Sequence, residues 1–338
     1  MSTSTLLTMT APLGDSLTIP YHDIGPAEHS YPHPHPLPPR LALVAGLHGN
    51  ELNGVFVLSR LADFLRRIQT GERRGQVLRE RVVLIPAVNV LGVNTRSRVW
   101  PFDNIDLNRG FPGDSAGETT QRIAAAVVNL TRPAYYRVDI HSSNTDIEEM
   151  PQVRLYEPND DERASACLFG LPAVIERPVN PIFTTNLVHT WRQYGGENFA
   201  IQCGRAGDLQ TVHCEALFRA LVAFLDRAGI VDGITLPEDE EHLHYFGLNQ
   251  SLALMAEQAG IFVSRLEVGR WIQAGDLIGH IYDGFSGEIR AEVHAPAAGL
   301  VGSLRRQPLL FEGDPMARIL TLTDAGNQME RILHSQGQ

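Results

Sequence analysis

The 338 residues, 43% hydrophobic and 20% charged, suffice for about two globular domains with full cores. A formal net charge of −11, from 39 acidic and 28 basic residues, argues against nonspecific binding to nucleic acid or anionic membrane, and no apolar stretch approaches the ~20 residues that span a bilayer. All 28 basic residues are arginine, which excludes a P-loop lysine, a Schiff base to pyridoxal phosphate and any biotinyl or lipoyl attachment, while guanidinium groups suit carboxylate recognition.

Residues 1–40 read as an initial strand followed by irregular chain, because residues 27–39 are rich in Pro and His. Residues 1–20 lack the positive and apolar regions of a signal peptide. Cys167, Cys203 and Cys214, an odd number without CxxC spacing, point to a reducing cytoplasm. The apolar run 41–47 predicts a buried strand, and Leu52, Val55, Phe56, Leu61, Phe64, Leu65 and Ile68 predict a helix from Glu51 to about Gln69. A strand at 82–88, a polar loop, a helix near 118–130 and a strand at 136–140 follow. This alternation implies a largely parallel sheet covered by helices on both faces. Five prolines between Ser142 and Gly196 suggest loops around the mouth of a site, with short strands near 153–156 and 173–175. A strand at 199–203 then leads to a helix from about Thr211 to Ala228, whose buried face is Leu217, Ala220, Leu221, Phe224 and Leu225 and whose C-cap is Gly229. An acidic run at 237–241 reads as a linker. Beyond it, glycines every 8 to 12 residues between short β-type runs indicate a small all-β sandwich or barrel. The domain division is therefore 1–236 and 242–325.

His48 and Glu51 stand three residues apart at the carboxyl end of the first buried strand, where open α/β sheets place ligand sites. Imidazole and carboxylate are zinc ligands, although this pair alone is a weak signal that more often marks an N-cap turn with a solvated His and Glu. Val138-Asp139-Ile140-His141-Ser142 ends another strand in a histidine, and between the two lies the polar loop Asp103-Asn104-Ile105-Asp106-Leu107-Asn108-Arg109-Gly110-Phe111-Pro112-Gly113. By GLHGNE, DLNRGFPG and DIHS in that order, the chain resembles the succinylglutamate desuccinylase/aspartoacylase branch of the zinc carboxypeptidase clan, over roughly residues 40–325. The C-terminal strands resemble that family's biotinyl/lipoyl-type β-domain. Without lysine it cannot be a swinging arm, so a structural or mouth-shaping role is expected.

The resemblance implies that His48, Glu51 and His141 hold one Zn²⁺ per chain. It implies that Asn108 and Arg109 bind the substrate carboxylate, which suits an amide donor beside a planar guanidinium. Arg96 and Arg98 are candidates for the arginine that stabilises the oxyanion; Arg98 is preferred, leaving Arg96 to the substrate. Asp139, two residues before His141, is placed on the opposite side of the strand.

One departure stands out. The family carries its catalytic glutamate in a Val-Glu-x-Gly strand, and here Gln202 of Ala200-Ile201-Gln202-Cys203-Gly204 occupies that position. Glutamine can orient a water but cannot accept its proton, and losing a general base costs about 10²- to 10⁴-fold in rate. Either the chain is silent or altered, or Glu197 or Glu215 substitutes, or the Gln is an introduced change. The implied function is zinc-dependent hydrolysis of an amide beside a carboxylate, in the form of an N-acyl amino acid deacylase or else a carboxypeptidase on short peptides. The alternatives are a catalytically silent metal- or ligand-binding relative and an interaction module built on the β-domain. The implied partner is a small N-acyl amino acid or short peptide, not nucleic acid or membrane, and homo-oligomerisation is left open.

Overall fold

The computed structural model describes residues 3–10, 13–26, 37–179, 184–236 and 243–322. Most of the Pro/His-rich stretch and the linker expected at 237–241 lie outside the described residues. The chain opens with a hairpin of β1 (Ser4–Thr10) and β2 (Ser16–Ile24), where the sequence suggested one strand. Next come β3 (Leu41–Ala45), α1 (Leu52–Gln69), β4 (Val77–Leu78), β5 (Val82–Ile85), α2 (Val90–Thr95), α3 (Thr119–Thr131) and β6 (Tyr136–Ser143). They are followed by β7 (Ile147–Tyr156), α4 (Asp160–Ala166), β8 (Ala173–Arg177), α5 (Leu187–Arg192), β9 (Glu197–Arg205), α6 (Thr211–Arg227) and β10 (Val231–Asp232). From residue 243 on, the regular elements of the described chain are strands alone. These are β11 (His244–Phe246), β12 (Ser251–Met255), β13 (Gly260–Ser264), β14 (Trp271–Ile272), β15 (Leu277–Tyr282), β16 (Ile289–His294), β17 (Gly299–Arg305), β18 (Leu309–Leu310) and β19 (Pro315–Leu320).

Thirteen strands form one large mixed sheet whose spine runs β1-β2-β5-β3-β6-β9-β7-β17-β19-β12. The expected parallel pairing holds at its centre, where β3 lies between β5 and β6, and β6 lies beside β9. Outside that centre β2 meets β5, and β7 meets β9 and β17, in antiparallel fashion. The C-terminal strands thus continue the sheet of the α/β part while packing a core of their own around Phe262, Ile278, Ile281, Leu304 and Ile319. A separate four-stranded sheet runs β16-β15-β13-β18.

Strand side chains alternate between faces, and the two cores divide accordingly. Leu41, Leu43, Ala45, Val138, Ile140, Phe199 and Ile201 pack against Val57, Leu58, Leu61 and Leu65 of α1 and against Leu217, Leu221, Phe224 and Leu225 of α6. Val44, Ile85 and Ala200 face Ile123, Val127 and Val128 of α3 and Leu187 and Trp191 of α5. Each such Val, Leu, Ile or Phe side chain removed from water contributes about 1.5–3 kcal/mol. The helices do cover both faces. Gly229, at φ +66, follows the C-cap Ala228 of α6.

The region 142–196 is far more regular than its prolines suggested. Pro158 follows β7, while Pro172 and Pro178 flank β8. Pro151 lies inside β7 at a bulge, where the three steps from Glu149 to Gln152 match two on β9, from Gly204 to Gln202. A bulge is where a strand tolerates proline, and it also re-aims a side chain. Among the described residues no helix is long and apolar enough to cross a membrane.

Candidate active site

The site sits where β3, β6 and β9 end. Gly46, at φ +62, turns the chain out of β3. Gly49 then lets the turn lie against α2, since a Cβ there would stand 1.9 Å from the Gly92 carbonyl carbon. Glu51 is the N-cap of α1 but makes no side-chain bond to its own helix. Its Oε1 instead lies 2.7 Å from His48 Nδ1, and its Oε2 lies 3.0 Å from His141 Nδ1 and accepts from the Ser142 N–H at 2.9 Å. Asn53, the second residue of α1, anchors this corner: its Nδ2 donates to the Cys203 carbonyl at 2.9 Å, and its Oδ1 accepts from the Gln210 N–H.

His48, Glu51 and His141 are 3%, 2% and 7% exposed, and charged groups so buried persist only when paired or bound to an ion. Their donor atoms lie within 4.8 Å of one another. Tetrahedral zinc with bonds of about 2.0–2.1 Å wants such atoms about 3.4 Å apart, so small outward shifts of the carboxylate would seat an ion. Each imidazole is backed on its other nitrogen, His48 Nε2 by Asp106 Oδ1 at 2.9 Å and His141 Nε2 by Asp139 Oδ2 at 2.8 Å. That arrangement fixes the tautomer and orientation of a metal-ligating histidine. Three carboxylates around two imidazoles also leave room for the charge of a divalent cation. These residues fit a metal.

The electrostatics follow from the same contacts. Burial opposes the charged imidazole of His48, but Glu51 and Asp106 outweigh it and leave the ring raised from its ordinary value. His141 is likewise raised, with burial opposed by Asp139 and Glu51. Burial would raise Glu51, yet His141 and His48 hold it at about 2. Asp106 is pulled well below the usual carboxylate range, burial being outweighed by His48, Arg98 and the Asn108 N–H.

A cavity of about 510 Å³ opens over the triad and is lined by His48, Glu51, Arg98, Asn108, Arg109, His141 and Gln202, among others. The predicted ligands, His48, Glu51 and His141, thus share the cavity with Arg98, Asn108, Arg109 and Gln202, and Arg96 is apart from them. Arg96 does not line this cavity; it caps the end of α2 at φ +56 and is exposed. Arg98 donates to Glu51 Oε1 at 3.3 Å and to Asp106 Oδ2 at 3.2 Å. Asn108 holds its Nδ2 3.2 Å from His141 Nε2, while its Oδ1 accepts from the Leu187 N–H at 3.0 Å. Gln202 stands directly opposite His141 across the β6–β9 pair.

Three placements correct the sequence reading. Asp139 shares the face of His141: Val138 and Ile140 point into the other core, and residues two apart in a strand face the same way. Glu215 is half-buried, on α6 across the sheet, with Arg60 at 2.9 Å. Glu197 begins β9, at the end of the strand away from the site, where its N–H donates to the Tyr135 carbonyl at 2.8 Å. Neither glutamate lines the cavity. Asp106 and Glu149 were missed. Asp106 opens the Asp-Leu-Asn-Arg run, a signal that was present but unused. Glu149, 8% exposed, lines the cavity, pairs with Arg154 and accepts from Gln152 Nε2 at 3.1 Å.

Comparison with known proteins gives the site its context. Residues 38–227 match the profile of the Succinylglutamate desuccinylase/Aspartoacylase catalytic domain. The N-alpha-acetyl-L-2,4-diaminobutyric acid deacetylase of Halomonas elongata is 25% identical over 297 residues, covering 85% of this chain and 83% of that protein. The succinylglutamate desuccinylase of Pseudomonas aeruginosa is 26% identical over 207 residues, 55% of this chain and 58% of that protein. Among solved structures, the product-bound ectoine utilization protein EutE (DoeB) of Ruegeria pomeroyi superposes with a TM-score of 0.72 at 22% identity, over 93% of each chain.

Proposed function

This chain belongs to the succinylglutamate desuccinylase/aspartoacylase family, and from that premise we propose that it is a zinc-dependent hydrolase of small N-acyl amino acids. The observation that carries the reading is the buried His48–Glu51–His141 cluster, with a carboxylate behind each histidine and a cavity above it. The two curated relatives bear names that describe removal of an acyl group from an α-amino acid. When bound, one zinc ion per chain would polarise the amide carbonyl and activate water.

The chain's own residues supply the rest. Arg109, at the cavity rim, and the Asn108 amide beside it hold the substrate carboxylate. Asp139 fixes the proton of His141 Nε2, so Asn108 Nδ2 keeps its donors for the ligand. Arg98, reaching in from the loop after α2, moves from Glu51 to the oxyanion as charge develops on the carbonyl oxygen. Gln202 orients the attacking water through its amide. A second reading, a silent binding protein, is favoured by Gln202 alone, since an amide takes no proton.

The test is hydrolysis of acetyl and succinyl amides of acidic, basic and neutral amino acids, with short dipeptides, by zinc-loaded protein, read by mass spectrometry. We expect turnover that His48→Ala abolishes. Turnover only after Gln202→Glu would support the silent reading, and none by any version with zinc bound would overturn the deacylase reading.

A further inference from the structure

We infer that Glu149 replaces the missing glutamate of β9 as the general base, taking the proton of the attacking water that Gln202 orients. This rests on the deacylase reading. Three carboxylates line the cavity among the described residues: Glu51, Asp139 and Glu149. Glu51 is engaged by both histidines and Asp139 by His141. Glu149 is the carboxylate not committed to the candidate metal ligands.

Its position follows from the bulge at Pro151. Gln152 stands opposite Gln202, and Glu149 stands opposite Gly204, two residues further along β9. Without the extra residue, Glu149 would point away from the face that carries Gln152 and Gln202, being an odd number of steps from Gln152. The bulge turns it toward them. The Gln152 side chain then spans the gap, donating from Nε2 to Glu149 at 3.1 Å. Its Oε1 is buried with no partner among the described residues, in a residue 2% exposed. Buried acceptors of this kind are normally satisfied, and a water bonded to Gln152 between Gln202 and Glu149 would satisfy it. Arg154 donates to Glu149 from the cavity wall and holds the carboxylate in place.

The step balances. The water oxygen bonds to the amide carbon as its O–H breaks, and that proton goes to a Glu149 oxygen. The proton then passes to the amide nitrogen as the C–N bond breaks, leaving an acid and an amine, and the acid gives its remaining proton to the amine.

The experiment uses the zinc-loaded full chain and an N-acetyl or N-succinyl amino acid that it hydrolyses. Glu149→Gln should lower kcat about 10²- to 10⁴-fold, leave KM and calorimetric binding of the free amino acid product within about threefold, and flatten the acid limb of the kcat–pH profile. Adding Gln202→Glu to that variant should restore kcat at least about tenfold. Should Glu149→Gln not fold, Glu149→Asp carries the test through a lower kcat with product binding retained. Glu149→Gln activity within about fivefold of the unmodified chain overturns the role of Glu149 alone. Weaker product binding with kcat unchanged also overturns it, reducing Glu149 to a holder of Arg154. No turnover by the unmodified chain on any substrate overturns this role and the deacylase reading together.

Discussion

Asp106→Ala tests the support of the site most directly. Asp106 Oδ1 sits 2.9 Å from His48 Nε2 and accepts from the Asn108 N–H at 2.9 Å, while Oδ2 accepts from Arg98 at 3.2 Å. One substitution therefore releases the orientation of His48, the seat of Arg98 and the cap of the turn that carries Asn108. Losing a carboxylate behind a ligating histidine costs 10- to 100-fold in metal affinity, or about 1.4–2.7 kcal/mol. Loss of the cap should lower stability by about 1 kcal/mol more. Zinc affinity measured by competition with a chromophoric chelator at fixed pH gives the first quantity, and denaturant unfolding of the metal-free chain gives the second. Asp106→Asn keeps an oxygen for both the imidazole and the Asn108 N–H, so its loss should be smaller. If Asp106→Ala binds zinc within about threefold of the unmodified chain, Asp106 does not orient His48 and the carboxylate–histidine–metal reasoning fails here.

Further outcomes follow from the same geometry. Gly49→Ala drives a Cβ to 1.9 Å from backbone at Gly92, so it should cost about 1–3 kcal/mol in thermal unfolding and weaken zinc binding by displacing His48. Arg109→Ala should raise KM about 10- to 100-fold with little change in kcat, as for one lost charge-assisted contact, whereas Arg98→Ala should lower kcat about 10²- to 10³-fold. Steady-state kinetics would separate the two. Glu148, the neighbour of Glu149 on β7, has Oε1 2.6 Å from His213 Nε2 and Oε2 paired to Arg306, and Glu148→Ala should cost about 1–2 kcal/mol by removing the partner of His213, since Arg306 keeps Glu267. Burial would raise Glu148, but His213 and Arg306 hold it at about 2. Its folded value is below its unfolded one, so its contribution is full above about pH 4.5 and fades as pH falls toward 2. Melting curves across that window should show the loss, and Glu148→Gln should flatten it.

The parts of the fold that rest on local periodicity were legible. The apolar run of β3, the helical spacing of α1 and α6 and the glycine at the end of α6 all act within a few residues, and each appears where its pattern places it. Region 142–196 misled because proline was read as a stop. In β7 the residue sits in a bulge that spares the ladder a missing N–H, and at Pro158, Pro172 and Pro178 it marks strand ends. The joining of β17 to β7 could not be read, because the pairing Ser303↔Glu149 depends on edges that only exist once the sheet has formed.

The candidate site divides in the same way. His48 and Glu51 are three residues apart and declare each other, and His141 is declared by a strand ending in the same residue type. The charge behind them comes from a distance. Asp106 reaches His48 across 58 positions, and the contacts that would reveal it are ones a sequence pattern does not carry. Asp139 needed only the period of the strand. Gln202 is the instructive case, because its identity argues against catalysis while its surroundings argue for it. Around it stand arginines at the mouth, a carboxylate behind each imidazole and a bulge that turns Glu149 into the same cavity. What the sequence presents as a deletion of chemistry, the structure presents as a carboxylate displaced from β9 to the neighbouring strand, and the kinetics of Glu149→Gln decide between the two.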